Sequence, residues 1–358
     1  MTTLTPLRPV LPGTDRGIGV VGCGWAASMQ LAAYQSAGFR VVALTDHTAS
    51  KAEDLRARFF PEATVHPDAE ALLADERVEV VDLATHAVGR PALIEQALRS
   101  GRHVLSQKPF VEDLDEGARL CDVADRLGRT LAVNANGRWA PHFAVLLAAA
   151  EEGVLGELTS GDFWVYWPHD GVVEGMTAFS TMSDLVLYDF GIHWFDLVGA
   201  LFPGQVRAVA AQVASRPDQR IAAPTQAQVL IDYADAQVSL RFRAAERRCE
   251  EGGYRVDGRR GTVQHVGGAL GGSRVTVLTG VDEHQSARVV SVEPSWFGPG
   301  MAGAMGELLL ALDEQRPPRN SGRSALPGLA LCFAAVQAAD DGRPVVPGSV
   351  RRRPGAPR

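Results

Sequence analysis

Of the 35 basic side chains in this 358-residue sequence, only two are lysines, Lys51 and Lys108. Arginine stays protonated, whereas lysine can shift its pKa and exchange a proton. A lysine in so arginine-rich a chain marks a place where that difference could matter, although two lysines must also fall somewhere by chance. Lys108 stands in the triplet Gln107-Lys108-Pro109. Two further stretches concentrate polar and aromatic groups, Asn136-Gly137-Arg138-Trp139-Ala140-Pro141 and Tyr188-Asp189-Phe190-Gly191-Ile192-His193-Trp194-Phe195-Asp196. Asp189 and His193 are four residues apart, so a helix over this segment would put both on one face.

A second kind of chemistry is written into Gly22-Cys23-Gly24-Trp25-Ala26-Ala27. The spacing Gly-x-Gly-x-x-Ala between a strand and a helix is a dinucleotide fingerprint. The first glycine permits the tight turn, the second lets the backbone approach a pyrophosphate, and a small third residue lets helix and strand pack closely. The helix N-terminus offers unpaired N–H groups and a positive dipole end to the phosphates. Asp46 ends the next strand, about 20 residues on, where a carboxylate accepts from ribose hydroxyls and repels a 2′-phosphate. That favours NAD over NADP, against which His47 and Lys51 could help to hold a phosphate.

These groups need elements to carry them. Residues 17–136 alternate short β-branched runs with amphipathic stretches: strands over 17–21, 40–44, 78–83, 103–105 and 130–133, and helices to about 37, over 49–58, 91–100 and 114–127. Such alternation predicts a doubly wound parallel sheet. From Pro141 the pattern changes to a helix over 141–152, a long alternating strand over 158–167 and a helical stretch over 183–201. Strand-like runs follow over 206–213, 225–233, 237–242, 253–256, 262–266 and 274–278, then helices over 300–315 and 324–339. The fold class expected is α/β, an N-terminal Rossmann doubly wound parallel sheet plus a C-terminal α+β domain with a large, mostly antiparallel open sheet. The divisions expected are a loose tail over 1–15, a nucleotide-binding domain over 16–138, a substrate-binding and oligomerisation domain over 139–348 and a loose tail over 349–358.

Composition narrows the classes. With 46% apolar and 22% charged residues the chain reads as globular. A net charge of −7 argues against nucleic acid as a partner. No apolar run is long enough for a membrane span, and residues 1–9 lack the features of a secretory signal. Cys23, Cys121, Cys249 and Cys332 are scattered with no CxxC pair, which fits reduced thiols and a cytoplasmic location better than disulfides or zinc.

Taken together, the glycine turn, Ala84-Thr85, Gly101-Arg102-His103-Val104, the Lys-Pro pair, the Asp-x-x-x-His-x-x-Asp stretch from Asp189 to Asp196 and Gly342-Arg343-Pro344-Val345 resemble the glucose–fructose oxidoreductase/inositol dehydrogenase (Gfo/Idh/MocA) family. The resemblance spans about residues 16–345. It implies hydride transfer between NAD and a secondary hydroxyl or keto group of a sugar, cyclitol or related polyol, with Lys108, Asp189 and His193 as the catalytic residues. It also implies Gly22, Gly24, Trp25, Ala26, Asp46, Ala84, Thr85, Gln107, Lys108 and Pro109 as the cofactor site, and a homo-oligomer, dimer or tetramer, formed through the C-terminal sheet.

The chemistry agrees with that transfer. Oxidising an alcohol requires removal of the hydroxyl proton, and a neutral imidazole titrates near operating pH, which suits His193 to the acid/base role. Lys108 would stabilise developing alkoxide charge, and Asp189 would bind a neighbouring hydroxyl or tune the other two. Asp189, His193 and Asp196 could ligate a metal, but no further ligands cluster with them, so none is expected. Two positions depart from the family pattern. Gln107 replaces the usual Glu, removing a carboxylate that would favour the ammonium form of its neighbour. Arg90 stands where histidine is usual, with a cofactor phosphate, an anionic substrate and solvent all open to it; His86 lies nearby but out of register.

Trp164 and Tyr166 fall on one face of the long strand and Phe163, Val165 and Trp167 on the other. Stacking on a sugar ring, core packing and subunit contact are all open to them. Arg138, Trp139 and Trp194 are further substrate-binding candidates. Two other functions fit the same residues: a redox-neutral epimerase or glycoside-cleaving enzyme that uses tightly bound NAD transiently, and a non-catalytic NAD- or sugar-sensing regulator.

Overall fold

The structure is a computed structural model of the chain; it describes residues 15–176, 179, 182–280 and 284–356. The expected N-terminal tail lies outside the described residues but for Asp15. The chain forms two compact units. One takes the chain up to Trp139 and again Phe297–Leu326; the other takes Ala140–Trp296 and the chain from Pro327 onward.

In the first unit, β1 (Ile18–Val21), β2 (Val41–Thr45), β3 (Thr64–Val65), β4 (Val80–Leu83), β5 (His103–Ser106) and β6 (Leu131–Val133) form a parallel sheet in the order β3-β2-β1-β4-β5-β6. Strands β1, β2, β4 and β6 are buried along their whole length, as expected when helices cover both faces of a parallel sheet. The connections are α1 (Trp25–Ala37), α2 (Ala49–Phe59), α3 (Ala69–Ala74), α4 (Arg90–Arg99) and α5 (Leu114–Arg126). Asp68 caps α3 and Asp113 caps α5 by accepting first-turn N–H groups. The two-residue β3 and the six-residue α3 are too short to show periodicity and went unread in the sequence.

The order reverses between β1 and β4. Such a switch point opens a ligand crevice at the carboxyl ends of the strands. Gly22, Asp46, Thr85 and Lys108 all follow carboxyl ends of strands.

Phe297–Leu326 completes this unit. Met301, Met305, Leu308 and Leu309 of the helix Phe297–Asp313 share one apolar core with Ile18, Val20 and Leu31. Beyond it, Asn320 and Val133 exchange hydrogen bonds of 2.8 Å, which occupies the free edge of β6.

In the second unit, α6 (Pro141–Glu151), β7 (Leu158–Tyr166) and α7 (His169–Val173) precede a π-helical turn, Val186–Phe190, and α8 (Ile192–Leu201). Then come β8 (Val206–Ala214), β9 (Gln226–Tyr233), β10 (Gln237–Arg243), β11 (Glu251–Gly258), β12 (Gly261–Gly267), β13 (Arg274–Thr279) and β14 (Ser286–Ser291). The sheet order is β14-β13-β12-β11-β7-β10-β9-β8, antiparallel except for the β7–β10 pair. Burial alternates along β9 and β10, so one face is covered and one open. Phe242 on the covered face packs against Phe190, Trp194 and Phe195. Cross-strand register puts Trp164, Tyr166, Leu230, Val266 and Val289 together on the open face. Leu230 and Val266 are each 64% exposed there.

Two expectations for this half need correction. The stretch over 183–201 is not one α-helix: the Gly191 N–H donates to the Val186 carbonyl, a five-residue step. A Cβ on Gly191 would lie 2.8 Å from the Leu187 carbonyl oxygen and 2.9 Å from the Phe242 ring, so only glycine fits where the turn closes on β10. The C-terminal residues through 356 are also not a loose tail. Arg353 is 8% exposed, donates to both carboxylate oxygens of Asp184 at 2.8 and 2.9 Å, and lies over the Tyr188 ring.

Candidate cofactor and active-site residues

The glycine turn has the form its spacing predicts. Gly22 has φ +93°, which a side chain resists, and a Cβ there would sit 3.0 Å from the Ala84 carbonyl oxygen and the Thr85 methyl group. Gly24 is exposed and nothing lies within 4 Å of where its Cβ would be. It opens α1 without a side-chain cap, and the first turn of α1 holds no acidic residue. The first-turn N–H groups of Trp25, Ala26 and Ala27 are therefore open to an anion. Trp25 is 51% exposed and stands edge-on to Phe297, 5.7 Å between ring centres.

Asp46 accepts from the Cys23 N–H at 2.7 Å and the Thr48 N–H at 2.8 Å, with the His47 ring at 3.1 Å. Burial alone would raise this carboxyl, but the two N–H donors, His47 and Lys51 outweigh it and hold the group below the usual carboxylate range. A charged carboxylate thus stands beside the phosphate turn, where it can take ribose hydroxyls. The Thr85 hydroxyl is buried beside Gly22 with no hydrogen-bond partner among the described residues. The open glycine face, the uncapped helix, the charged Asp46 and the unused Thr85 hydroxyl together fit an NAD molecule.

Lys108 follows β5 and is partly exposed. Its N–H donates to Gln107 Oε1 at 2.8 Å. Gln107 is buried, and its amide donates on to Gln30 Oε1 at 3.2 Å. Gln30 donates to Asp82 Oδ2 at 2.6 Å, and the Tyr34 hydroxyl donates to the same oxygen at 2.7 Å. Asp82 is fully buried, which pushes its carboxyl up to about 7 against the pull of Tyr34, Gln30 and the Arg90 charge. The Gln107 side chain is thus held inside the unit, not extended toward a ligand. Arg90 takes none of the three destinations open to it in the sequence. It is 1% exposed and its guanidinium donates to the carbonyls of Gln107 and Pro109.

In the second unit Asp189 lies on the π-helical turn, 7% exposed, and His193 on the first turn of α8, partly exposed. The His193 ring is edge-on to Trp296 at 5.5 Å and to Trp194 at 6.3 Å. His169, the first residue of α7, brings its Nε2 to 3.4 Å from Asp189 Oδ2. Its ring stacks on Phe190 at 4.8 Å and Trp167 at 5.5 Å. His169 follows the aromatic strand β7, and nothing in the sequence signals this contact, because it depends on how the β7–α7 corner turns. Asp196 is 9% exposed, and among the described residues no group of three His, Cys, Asp or Glu is placed to hold a metal.

The remaining pocket candidates have other occupations. Arg138 is buried in the first unit and donates to the Arg319 carbonyl at 2.6 Å and the Ser324 carbonyl at 3.2 Å. Trp139 is 4% exposed, in contact with Gly303. Trp194 is 2% exposed among Phe190, Phe242 and Trp296. Trp164 and Tyr166 lie on the open face of the sheet, opposite the one covered by Phe190 and Trp194. There Trp164 donates to Glu251 at 2.9 Å, and the Arg243 guanidinium lies 4.5 Å over the Tyr166 ring.

Comparison with known proteins agrees with these features. Residues 16–135 match the Gfo/Idh/MocA family model described as an oxidoreductase family with an NAD-binding Rossmann fold, and residues 143–264 match the Gfo/Idh/MocA C-terminal domain. A D-apiose dehydrogenase of Paraburkholderia graminis is 27% identical over 350 residues, 91% of this chain and 88% of that protein. An oxidoreductase from Agrobacterium radiobacter, crystallised with NAD+, L-tartaric acid and magnesium, superposes with a TM-score of 0.82 at 23% identity, covering 94% of this chain and 99% of that one. A levoglucosan dehydrogenase in complex with NADH and levoglucosan gives 0.78 at 17% identity, covering 94% and 100%. The last two likenesses carry the fold. With a matching model in each half, the chain belongs to the Gfo/Idh/MocA family of NAD-binding oxidoreductases.

Proposed function

We propose that the protein is an NAD-dependent dehydrogenase or reductase that transfers a hydride between the nicotinamide and a secondary hydroxyl, or the matching keto group, of a sugar, cyclitol or related polyol. The observation that carries the reading is the occurrence of an open, uncapped glycine turn after β1 and of Lys108 after β5, both at carboxyl ends of strands of the same sheet with β4 between them. The cofactor, when bound, supplies the hydride acceptor. The chain supplies binding and proton handling. The first-turn N–H groups of α1 take the pyrophosphate, and Asp46 takes the ribose hydroxyls. His193 removes the hydroxyl proton as general base, and Lys108 donates a hydrogen bond to the oxygen as its negative charge grows. Asp189 accepts from a neighbouring substrate hydroxyl, with His169 behind it at 3.4 Å. The D-apiose and levoglucosan named for two of the relatives support a substrate of the sugar class.

The test is NADH formation by the purified protein with NAD or NADP and a panel of aldoses, inositols, anhydrosugars and sugar acids. The expected result is turnover of one panel member, faster with NAD, falling at least about 100-fold in Lys108→Ala. Wild-type turnover by Lys108→Ala would remove Lys108 from the mechanism. The reading also includes association of copies through the open sheet face, on which Leu230, Val266 and Val289 are individually exposed among polar neighbours. Light scattering should give a mass of at least two chains, reduced by Leu230→Glu; a single-chain mass for the unmodified protein would contradict it.

A further inference from the structure

Arg90 is the largest of the fully buried side chains, and no feature of hydride transfer requires it. Desolvating a guanidinium is costly unless its donors are used, and an apolar side chain would fill the same volume without that cost. The bonds it makes around Lys108 all end on one short segment, and Nε is not among the donors used. A single terminal nitrogen, Nη1, donates to the Gln107 carbonyl, to the Pro109 carbonyl at 2.7 Å and to Ser106 Oγ at 3.5 Å. The two carbonyls flank Lys108. The Lys108 N–H is taken by Gln107 Oε1, and Gln107 is anchored through Gln30 to Asp82. Side chains from α1, β4 and α4 therefore hold the main chain before, at and after Lys108, in a stretch that has left the β-ladder.

We propose that Arg90 and Gln107 are positioning residues for Lys108, fixing where its ammonium is presented by clamping the backbone on both sides of it. The proposal rests on the reading of Lys108 as a catalytic group. A long flexible side chain reaches a defined point only if its root is fixed, and misplacing a catalytic group by about 1 Å can cost on the order of 100-fold in rate. Neither residue touches substrate in this account. Their effect runs through Lys108 alone.

The lysine count makes the test direct. Reductive methylation with 13C-formaldehyde labels Lys51, Lys108 and the chain terminus, and Lys51→Arg and Lys108→Arg assign the signals. Lys51 is exposed and serves as the unrestrained reference. In Arg90→Gln and in Gln107→Ala the Lys108 methyl signal should sharpen and move toward that of Lys51, without substrate present. With the panel member giving the fastest NADH formation, each variant should lose about 10- to 100-fold in kcat while the NADH dissociation constant changes less than about 3-fold. Placed in Lys108→Ala, neither substitution should lower kcat further by more than about 2-fold, because the group it positions is gone.

The proposal is overturned if the folded variants keep the Lys108 signal unmoved, or if their losses multiply with that of Lys108→Ala. Should Arg90→Gln fail to fold, Gln107→Ala decides on both readouts. If Lys108→Ala retains full turnover while the Lys108 signal still moves, the clamp stands as structure and the catalytic reading of Lys108 is what fails.

Discussion

Asp189 is nearly buried, and the side chain facing it is a histidine whose other neighbours are aromatic rings. That setting separates two roles that the spacing of Asp189 and His193 alone would merge. His193, partly exposed, is the proton acceptor in the proposed reaction; His169 acts on Asp189. His193→Ala should lower kcat by about 100-fold or more. His169→Ala should cost less, on the order of 10-fold, and alter the pH dependence of kcat. Turnover of His193→Ala matching the unmodified enzyme at every pH would remove it from the reaction. Asp82 gives a residue-scale prediction independent of substrate. Its carboxyl titrates at about 7 when folded because burial penalises the charge, against 3.8 ordinarily. A raised carboxyl pKa means the folded state holds a proton that the unfolded state has lost, so this stabilisation is present below pH 4 and disappears as pH rises through 7. Asp82→Asn cannot titrate. Relative to it, the unmodified protein should lose about 2–3 kcal/mol between pH 5 and pH 8 in urea unfolding; a constant difference would show that Asp82 is charged throughout. At this scale the glycine turn and Asp46 were legible because their backbone chemistry is local. Arg90 and His169 were not, because their partners lie 17 to 20 residues away across turns that periodicity does not describe.

At the scale of elements, the segment carrying Asp189 is held from behind by the end of the chain. Arg353 grips Asp184 with two hydrogen bonds and covers Tyr188, the residue before Asp189. Arg353→Met should destabilise the second unit by about 3 kcal/mol, since Asp184 would keep its buried charge without that partner. Urea unfolding followed by tryptophan fluorescence checks this, and a change within about 0.5 kcal/mol would mean the pair contributes nothing. An arginine-rich C-terminus reads as solvated in sequence because nothing local announces a buried carboxylate 169 residues away. The longer elements were legible for the opposite reason. Strands β7, β9 and β10 carry their own alternation, and helix α5 its own apolar face. The π-helical turn was hidden inside what reads as a continuous helix, and only the crowding around Gly191 reveals why the register changes there.

At the scale of the molecule, two units are built on different logic. A parallel sheet buried on both faces presents its chemistry at strand ends. A largely antiparallel sheet presents one covered face and one open face. Fold class and family followed from the order of motifs along the chain. The return of Phe297–Leu326 to the first unit did not, because an apolar helix carries no mark of which core it will join. The central claim is that this chain moves a hydride between a carbinol carbon and nicotinamide, and the most direct measurement follows that hydrogen. The panel member that supports turnover, deuterated at the carbon oxidised, should yield NADH carrying one deuterium by mass spectrometry, with one equivalent of ketone formed. The label should be absent with Lys108→Ala over the same interval. Product formed with the deuterium retained in the sugar and no NADH released would contradict the account and favour a redox-neutral reaction on the same site.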